Sequence, residues 1–561
     1  MVKNKEKLRN ILIVVLIIIM SIIMLFYQSK KIGFHEDEMY TIASSINPYD
    51  GVMSAYGEKD NQTIMLEKYV SNDNIFIEIK NAIHYVLHQD EYSEEMGELY
   101  RNQKPEWKTR DDVQKYMTLS KDNYLNFKSI YYNQTKDNHP PFFYALVHIS
   151  SIFFNGQFTK YTVFVVNIIA FILSCFVIKG IFKVINKENL TIPTLIFFGL
   201  AIGTITMVIY QRMYMLLTFF ILLYFYLSLK IYKNDFKLTP KMNIALGVTT
   251  VLGFLTQYFF AIYAFFICLI MIVKMAEDKK YKEIIKYIGF HILYAIIGVL
   301  LFVPCIDHLL FSDRGVSNLG NSEYFKHAKQ YIEFLLFSFT IKNNMIIASV
   351  LLILLFAGIV YMYKESNQKF IILISTIPSI CYFFIAVKLT SFQELRYVMP
   401  MLPFISITLF LILDNIFKFK YKDIVFIAMA TLVIINGIVF SNPKFLFSEY
   451  KESLDIAEQN KDKCFVFVYD NFFNHIQDIP EMMIYKKSII INTSREEEKY
   501  FIEDKELNNE DSFILCIKTY MDNDKIINEL KEKTEFKNFT RLYSGGNSHE
   551  VISNNLYMVS K

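Results

Sequence analysis

Charge of one sign is what this sequence has least of. Its 58 Lys and Arg stand against 55 Asp and Glu over 561 residues, a net +3. That makes no case for nucleic acid as a partner, because backbone phosphate binding needs a concentrated basic surface. Cysteine is scarce too: six residues with no metal-ligand spacing among them. Cys175, Cys268, Cys305 and Cys381 lie in or beside apolar runs, where a free thiol behaves as a small hydrophobe. Cys464 and Cys516 share a polar tail in which they could pair. Tryptophan occurs once, and no internal repeat stands out. The tail has no glycine-rich phosphate loop; "YSGGNSHE" is an isolated turn.

What is abundant is apolar. Hydrophobic residues make up 53% of the chain, with 52 Phe and 38 Tyr, and runs of membrane-spanning length recur along most of it. That pattern predicts a polytopic α-helical membrane protein. The basic start "MVKNKEKLRN" followed by the apolar run 11–27 reads as an uncleaved first span. Ten more spans are expected at about 160–183, 191–210, 212–233, 242–257, 258–274, 287–305, 344–363, 369–387, 397–415 and 423–440, about 11 in all. The lysine-bearing loops at 179–187, 230–241, 274–286, 364–369 and 418–422 all fall on one side. By the positive-inside rule the N-terminus is then in the cytoplasm and the C-terminus outside. The apolar stretch 141–154 is too short for a span, and counting it would reverse every later loop, so it is expected as a half-inserted or interfacial helix.

The expected modules are a transmembrane one over 1–440, carrying a large first outer loop at 28–140, and an extracytoplasmic soluble α/β domain over 443–561. In the latter "KCFVFVYD", "KSIIINT" and "SFILCIKT" read as strands and "DKIINELKEKT" as a helix.

Five stretches on the outer side could carry chemistry. "GFHEDEMYTIASS" places Asp37 and Glu38 just after the first span; read alone, such acids are a solvated loop. "DNHPPFFYALVH" places His139 before two prolines that fix the backbone, which also suits a plain helix start. "YQRMYML" places Arg212 and Tyr214 between apolar runs, where a guanidinium either faces a polar cavity or anion or snorkels to the interface. "SFQELRYVMPMLPF" adds Arg396 and Tyr397, and "FLTQYFFA" places Gln257 and Tyr258 at a hairpin. Two arginines and a carboxylate pair suit the transfer of a group from a lipid phosphate: the guanidinium fork holds phosphate oxygens, and a carboxylate deprotonates the acceptor hydroxyl.

These motifs together resemble the GT-C membrane glycosyltransferases, in particular the branch of protein O-mannosyltransferases and lipid A aminoarabinose transferases, over roughly residues 8–440. The resemblance implies transfer of one sugar from a polyprenyl-phosphate carrier on the outer face of a cytoplasmic membrane, usually with inversion, to a cell-envelope acceptor. It implies Asp37 as general base, Glu38 as its partner, and Arg212 and Arg396 at the donor phosphate. His139, Tyr214, Gln257, Tyr258 and Tyr397 would line the substrate pocket. Relatives often carry a histidine where this chain has Gln257, which removes one metal donor. His35, Glu36, Glu38 and His139 could bind a divalent cation, but their spacing matches no standard ligand motif, so a metal-independent reaction is expected, without cofactor. Two other readings use the same features: a lipid-linked-sugar transporter or flippase, which has no need of an acidic pair, and a non-catalytic envelope assembly subunit.

Overall fold

A computed structural model describes residues 2–48, 61–72, 74–102, 104–310, 324–339, 345–365, 369–390, 394–470, 475–495, 497, 502–546 and 553–561. The chain divides into two units. One gathers Met1–Tyr27, Asn138–Phe143 and Phe164–Pro443; the other gathers Gln28–Asp137, Tyr144–Val163 and Lys444–Lys561.

The first unit is helical. Among the described residues, eight helices are long and apolar enough to cross a membrane: Lys5–Lys30, Tyr161–Val184, Tyr214–Lys233, Phe260–Glu277, Tyr281–Leu301, Lys369–Leu389, Leu395–Ile416 and Lys422–Val439. Glu188–Gly199 and Ile202–Ile209 are bent by 65° at the break between them and, counted as one broken span, bring the number to nine. The two remaining expected spans are also helices, Pro240–Thr256 and Met345–Glu365. The first has 17 residues, a turn short of the usual crossing length. Phe142–Phe153, with 12 residues, is shorter still.

Large aliphatic side chains point outward from these helices: Ile285 is 74% exposed and Leu432 68%. Such a surface is stable only against lipid. Inside, helices approach closely through small residues, as membrane helices do when packing replaces the hydrophobic effect. A Cβ on Gly203 would stand 2.3 Å from the side chain of Ser338, so nothing larger than glycine fits there. At one group of loops, buried Asp414 receives Lys187 at 2.6 Å and Lys422 at 2.5 Å, which neutralises a carboxylate that would otherwise be costly to bury.

The second unit holds a six-stranded sheet: β1 (Lys108–Thr109), β2 (Cys464–Tyr469), β3 (Lys487–Asn492), β4 (Ser512–Lys518), β5 (Asn538–Ser544) and β6 (Asn554–Ser560), in the order β1-β3-β2-β4-β6-β5. The three central strands are parallel and buried along nearly their whole length, which is why they read as unbroken apolar runs. β6 and β5 extend the sheet as antiparallel strands, and β1 adds an antiparallel edge from the long polar stretch. Trp107, just before β1, packs on the sheet's core and donates its indole N–H to Asp504 at 2.9 Å. Cys464 and Cys516 are free thiols. The register sets Cys516 opposite Phe467, three residues along from Cys464, about 10 Å further on and out of disulfide reach.

Beneath this sheet lies a buried polar network. Asp478 receives Lys518 at 2.8 Å and Asn554 at 2.5 Å, and Glu481 receives the Ser453 hydroxyl at 2.9 Å. Burial, with the nearby Asp478 charge, pushes the Glu481 carboxyl up to about 8. In the unfolded chain it returns to the ordinary carboxylate range, so its contribution to stability is full at acid pH and declines as pH rises from there toward 8. Each pH unit inside that window costs about 1.4 kcal/mol. Glu481→Gln is expected to flatten this alkaline decline. Denaturant unfolding of the full chain at pH 6 and pH 8 checks it, with Trp107, the sole tryptophan, as reporter; equal pH dependence in both proteins would refute the assignment.

Candidate functional site

The two groups of sequence-derived site residues belong to different units, and each is built by its own local structure. In the second unit the chain leaves the first helix and starts another, Glu36–Ile46, at the acidic triplet. The start is a capping box: His35 Nδ1 accepts the Asp37 N–H at 3.1 Å, and Glu38 accepts the His35 N–H at 2.7 Å. Two of the helix's first donors are thereby satisfied, and three acids in the first turn suit its positive end. Because Nδ1 uses its lone pair on that N–H, its 3.5 Å approach to Asp37 Oδ2 is not an ion pair.

The two adjacent acids have different surroundings. Glu38 is fully buried, with an oxygen 2.9 Å from Lys31 Nζ, itself fully buried. The Asp37 side chain remains 22% exposed. Glu38 is therefore held by the fold, whereas Asp37 keeps access to solvent. A metal ion could use Glu38 only by breaking its pair with Lys31.

The arginine and tyrosine motifs of the first unit lie at breaks between helices. Ile202–Ile209 ends at Tyr210, and the next helix begins at Tyr214. Asn167, buried near the N-terminal end of Tyr161–Val184, ties this break together: its Nδ2 donates to the carbonyls of Tyr210 at 2.9 Å and of Val208 and Arg212 at 3.3 Å. Arg212, 2% exposed, places Nη2 3.1 Å from His139 Nε2. A guanidinium only donates, so Nε2 is the acceptor and the imidazole is in the tautomer protonated at Nδ1. Arg396 is in a short 3₁₀ turn, Leu395–Tyr397, with Nη1 2.8 Å from the Tyr210 hydroxyl and Nε 3.2 Å from Glu394. The Tyr214 ring stacks with Tyr210 and meets Tyr397 edge-on. His139, Arg212, Tyr214, Arg396 and Tyr397 thus form one continuous set.

The hairpin residues are arranged differently. Gln257 caps the helix Pro240–Thr256 and accepts the Phe259 N–H at 2.6 Å. The Tyr258 hydroxyl is 2.9 Å from His308 Nδ1, whereas it is Phe259 whose ring meets Tyr397. The sequence reading did not single out Lys31, Asn167, Tyr210, Glu394 or His308. Tyr210 and Glu394 stand inside stretches it used, and Asn167 is a lone carboxamide in an apolar run; Lys31 and His308 carry no local signal.

No protein-family model matches the chain, and no curated protein does. Among solved structures it is similar to ArnT from Cupriavidus metallidurans bound to undecaprenyl phosphate, at 10% identity over 75% of this chain and 88% of that one, with a TM-score of 0.47. ArnT in the apo state gives 10% identity, 75% and 87% coverage and a TM-score of 0.42. The archaeal oligosaccharyltransferase AglB from Archaeoglobus fulgidus, in complex with an inhibitory peptide and a dolichol-phosphate, gives 12% identity, 71% and 63% coverage and a TM-score of 0.40.

Proposed function

We propose that this chain is a membrane glycosyltransferase that moves a monosaccharide from a polyprenyl-phosphate donor to a cell-envelope acceptor. The observation that carries the proposal is the pair of buried arginines, Arg212 and Arg396, held at helix breaks among tyrosines of the first unit. Guanidinium charge at membrane depth marks an anion or substrate path, and its planar fork suits phosphate oxygens. The motif resemblance joins this set to Asp37.

In the reaction Asp37 takes the proton of the acceptor hydroxyl as its oxygen bonds to the sugar's anomeric carbon. The bond from that carbon to the phosphate oxygen breaks, and the polyprenyl phosphate leaves with the electron pair, its growing negative charge met by the arginines. Inversion at the anomeric carbon follows from this single displacement. Glu38 orients the segment, and the reaction needs no metal. His139, Tyr214, Gln257, Tyr258 and Tyr397 shape the pocket in this reading. The membrane module is 1–440 and the soluble domain 443–561; the lysine loops place the N-terminus in the cytoplasm, with the chemistry and the C-terminal domain outside, as in a bacterial cytoplasmic membrane.

The test is a transfer assay with purified protein in lipid nanodiscs, a panel of defined polyprenyl-phosphate sugars and an envelope extract as acceptor. Sugar incorporation with release of polyprenyl phosphate is expected for one donor, in the presence of a chelator. Movement of the intact lipid-linked sugar across the bilayer with no release of polyprenyl phosphate would instead make the chain a transporter.

A further inference from the structure

Lys31 is a fully buried lysine, and its surroundings come from far along the chain. Its Nζ pairs with Glu38 at 2.9 Å and donates to the Phe445 carbonyl. Two aromatic rings flank the ammonium, Phe447 at 5.4 Å and Phe34 at 5.7 Å. The neighbouring backbone is tied to the same place, with the Ile32 N–H donating to the Leu446 carbonyl at 2.9 Å. Gln477, from the helical turn that carries Asp478, donates to the Phe34 carbonyl at 3.1 Å, and the His35 ring meets the Phe445 ring edge-on at 5.6 Å. Every residue from Lys31 to His35 except Gly33 is thus held by the stretch after the last membrane helix or by the soluble domain.

That stretch is itself under strain. Phe445 has φ +65° and Phe447 φ +49°, a left-handed conformation that bulky residues rarely adopt. Two such residues two positions apart persist only where surrounding contacts over-determine them, and strain of this kind gathers at functional positions. Here it turns the Phe445 and Leu446 carbonyls onto Lys31 and Ile32.

Resting on the reading of Asp37 as the base, we propose that Lys31 is a positioning residue for Asp37 and that the strap 444–447 couples the soluble domain to the aim of that carboxylate. The chain of contacts is short. The strap fixes Lys31, Lys31 fixes Glu38, Glu38 accepts the His35 N–H, and His35 accepts the Asp37 N–H. Of the two acids in this run of contacts, Asp37 is the one left partly exposed.

The discriminating variant is the double substitution Lys31→Met/Glu38→Met. Removing one partner of a buried pair leaves an uncompensated charge and costs stability, whereas replacing both with apolar residues of similar size is close to neutral. Lys31→Met alone is therefore expected to lower the melting temperature, and the double variant to regain part of it, since the His35 N–H loses its acceptor in that variant. If the pair only supported the fold, turnover would return with stability. If it positions Asp37, the double variant stays between about 10- and 100-fold down in kcat, with donor KM unchanged, since small misplacements of a reacting group cost that much. Phe445→Gly keeps the backbone conformation available but removes the ring on His35; it too is expected to lower kcat several-fold without changing donor KM. Wild-type kcat in the stably folded double variant, or in Phe445→Gly, overturns the inference. Asp37→Asn, assayed alongside, separates the two levels: full turnover there overturns the base assignment itself, whereas its loss together with a fully active double variant overturns only the role of Lys31.

Discussion

Asparagine in place of Asp37 is expected to lower single-turnover sugar transfer by about 10²–10⁴-fold, the usual contribution of a general base, while folding and donor binding stay intact. The substitution is conservative here. The Asp37 backbone N–H donates to His35 Nδ1, which asparagine retains, and the side chain is 22% exposed. What asparagine lacks is the capacity to take a proton. Glu38→Gln acts by another route. Glu38 is buried against Lys31 and accepts a backbone N–H, so glutamine leaves an ammonium without its counter-charge and is expected to lower the melting temperature as well as the rate. The two adjacent acids are thus separable: a rate effect at normal stability for one, coupled loss of both for the other. Near-normal transfer by Asp37→Asn would reduce the acidic segment to a solvated loop and end the catalytic reading.

Long membrane helices and the parallel core of the sheet were legible because each carries its signal locally. A span is a run of apolar residues, and β2, β3 and β4 are buried on both faces, so their centres are unbroken runs of apolar or aromatic residues. β5 was not legible, because "NFTRLYS" is half exposed and mixes polar with apolar residues. β1 could not be, since two residues of a polar stretch became a strand only through pairing with Lys487 and Ser488, some 380 positions away. The same division holds for the candidate site. Adjacency alone shows that Asp37 and Glu38 must point in different directions, but not which one is buried. That depends on Lys31, and Lys31 depends on the carbonyl of Phe445. Likewise "YQRMY" exposes an arginine among apolar runs, while the residue that braces this break, Asn167, lies in Tyr161–Val184, more than 40 positions earlier, and reaches it through backbone carbonyls.

Removing either arginine is expected to weaken use of the donor, and the structure gives the two losses an order. A charge-assisted hydrogen bond to an anion contributes about 1.5–3 kcal/mol, so each alanine variant should raise donor KM roughly 10- to 150-fold. Arg212→Ala leaves behind the neutral Nε2 of His139, which tolerates the loss of a donor. Arg396→Ala leaves behind Glu394, whose carboxylate it had approached to 3.2 Å, and the Tyr210 hydroxyl it had held at 2.8 Å. The Glu394 carboxylate, no longer offset by Arg396, adds repulsion toward a bound phosphate to the lost attraction, so Arg396→Ala should be the more severe. Arg396→Ala/Glu394→Gln should then recover part of the donor affinity, because it removes the repulsion without restoring the fork. Lysine at either position should rescue incompletely, keeping a charge but losing the planar geometry. Donor KM and direct binding of polyprenyl phosphate by these five variants and wild type are the measurements. Unaltered affinity and turnover in both alanine variants would remove the phosphate from this set of residues. An unimproved double variant would show that Glu394 does not face the donor.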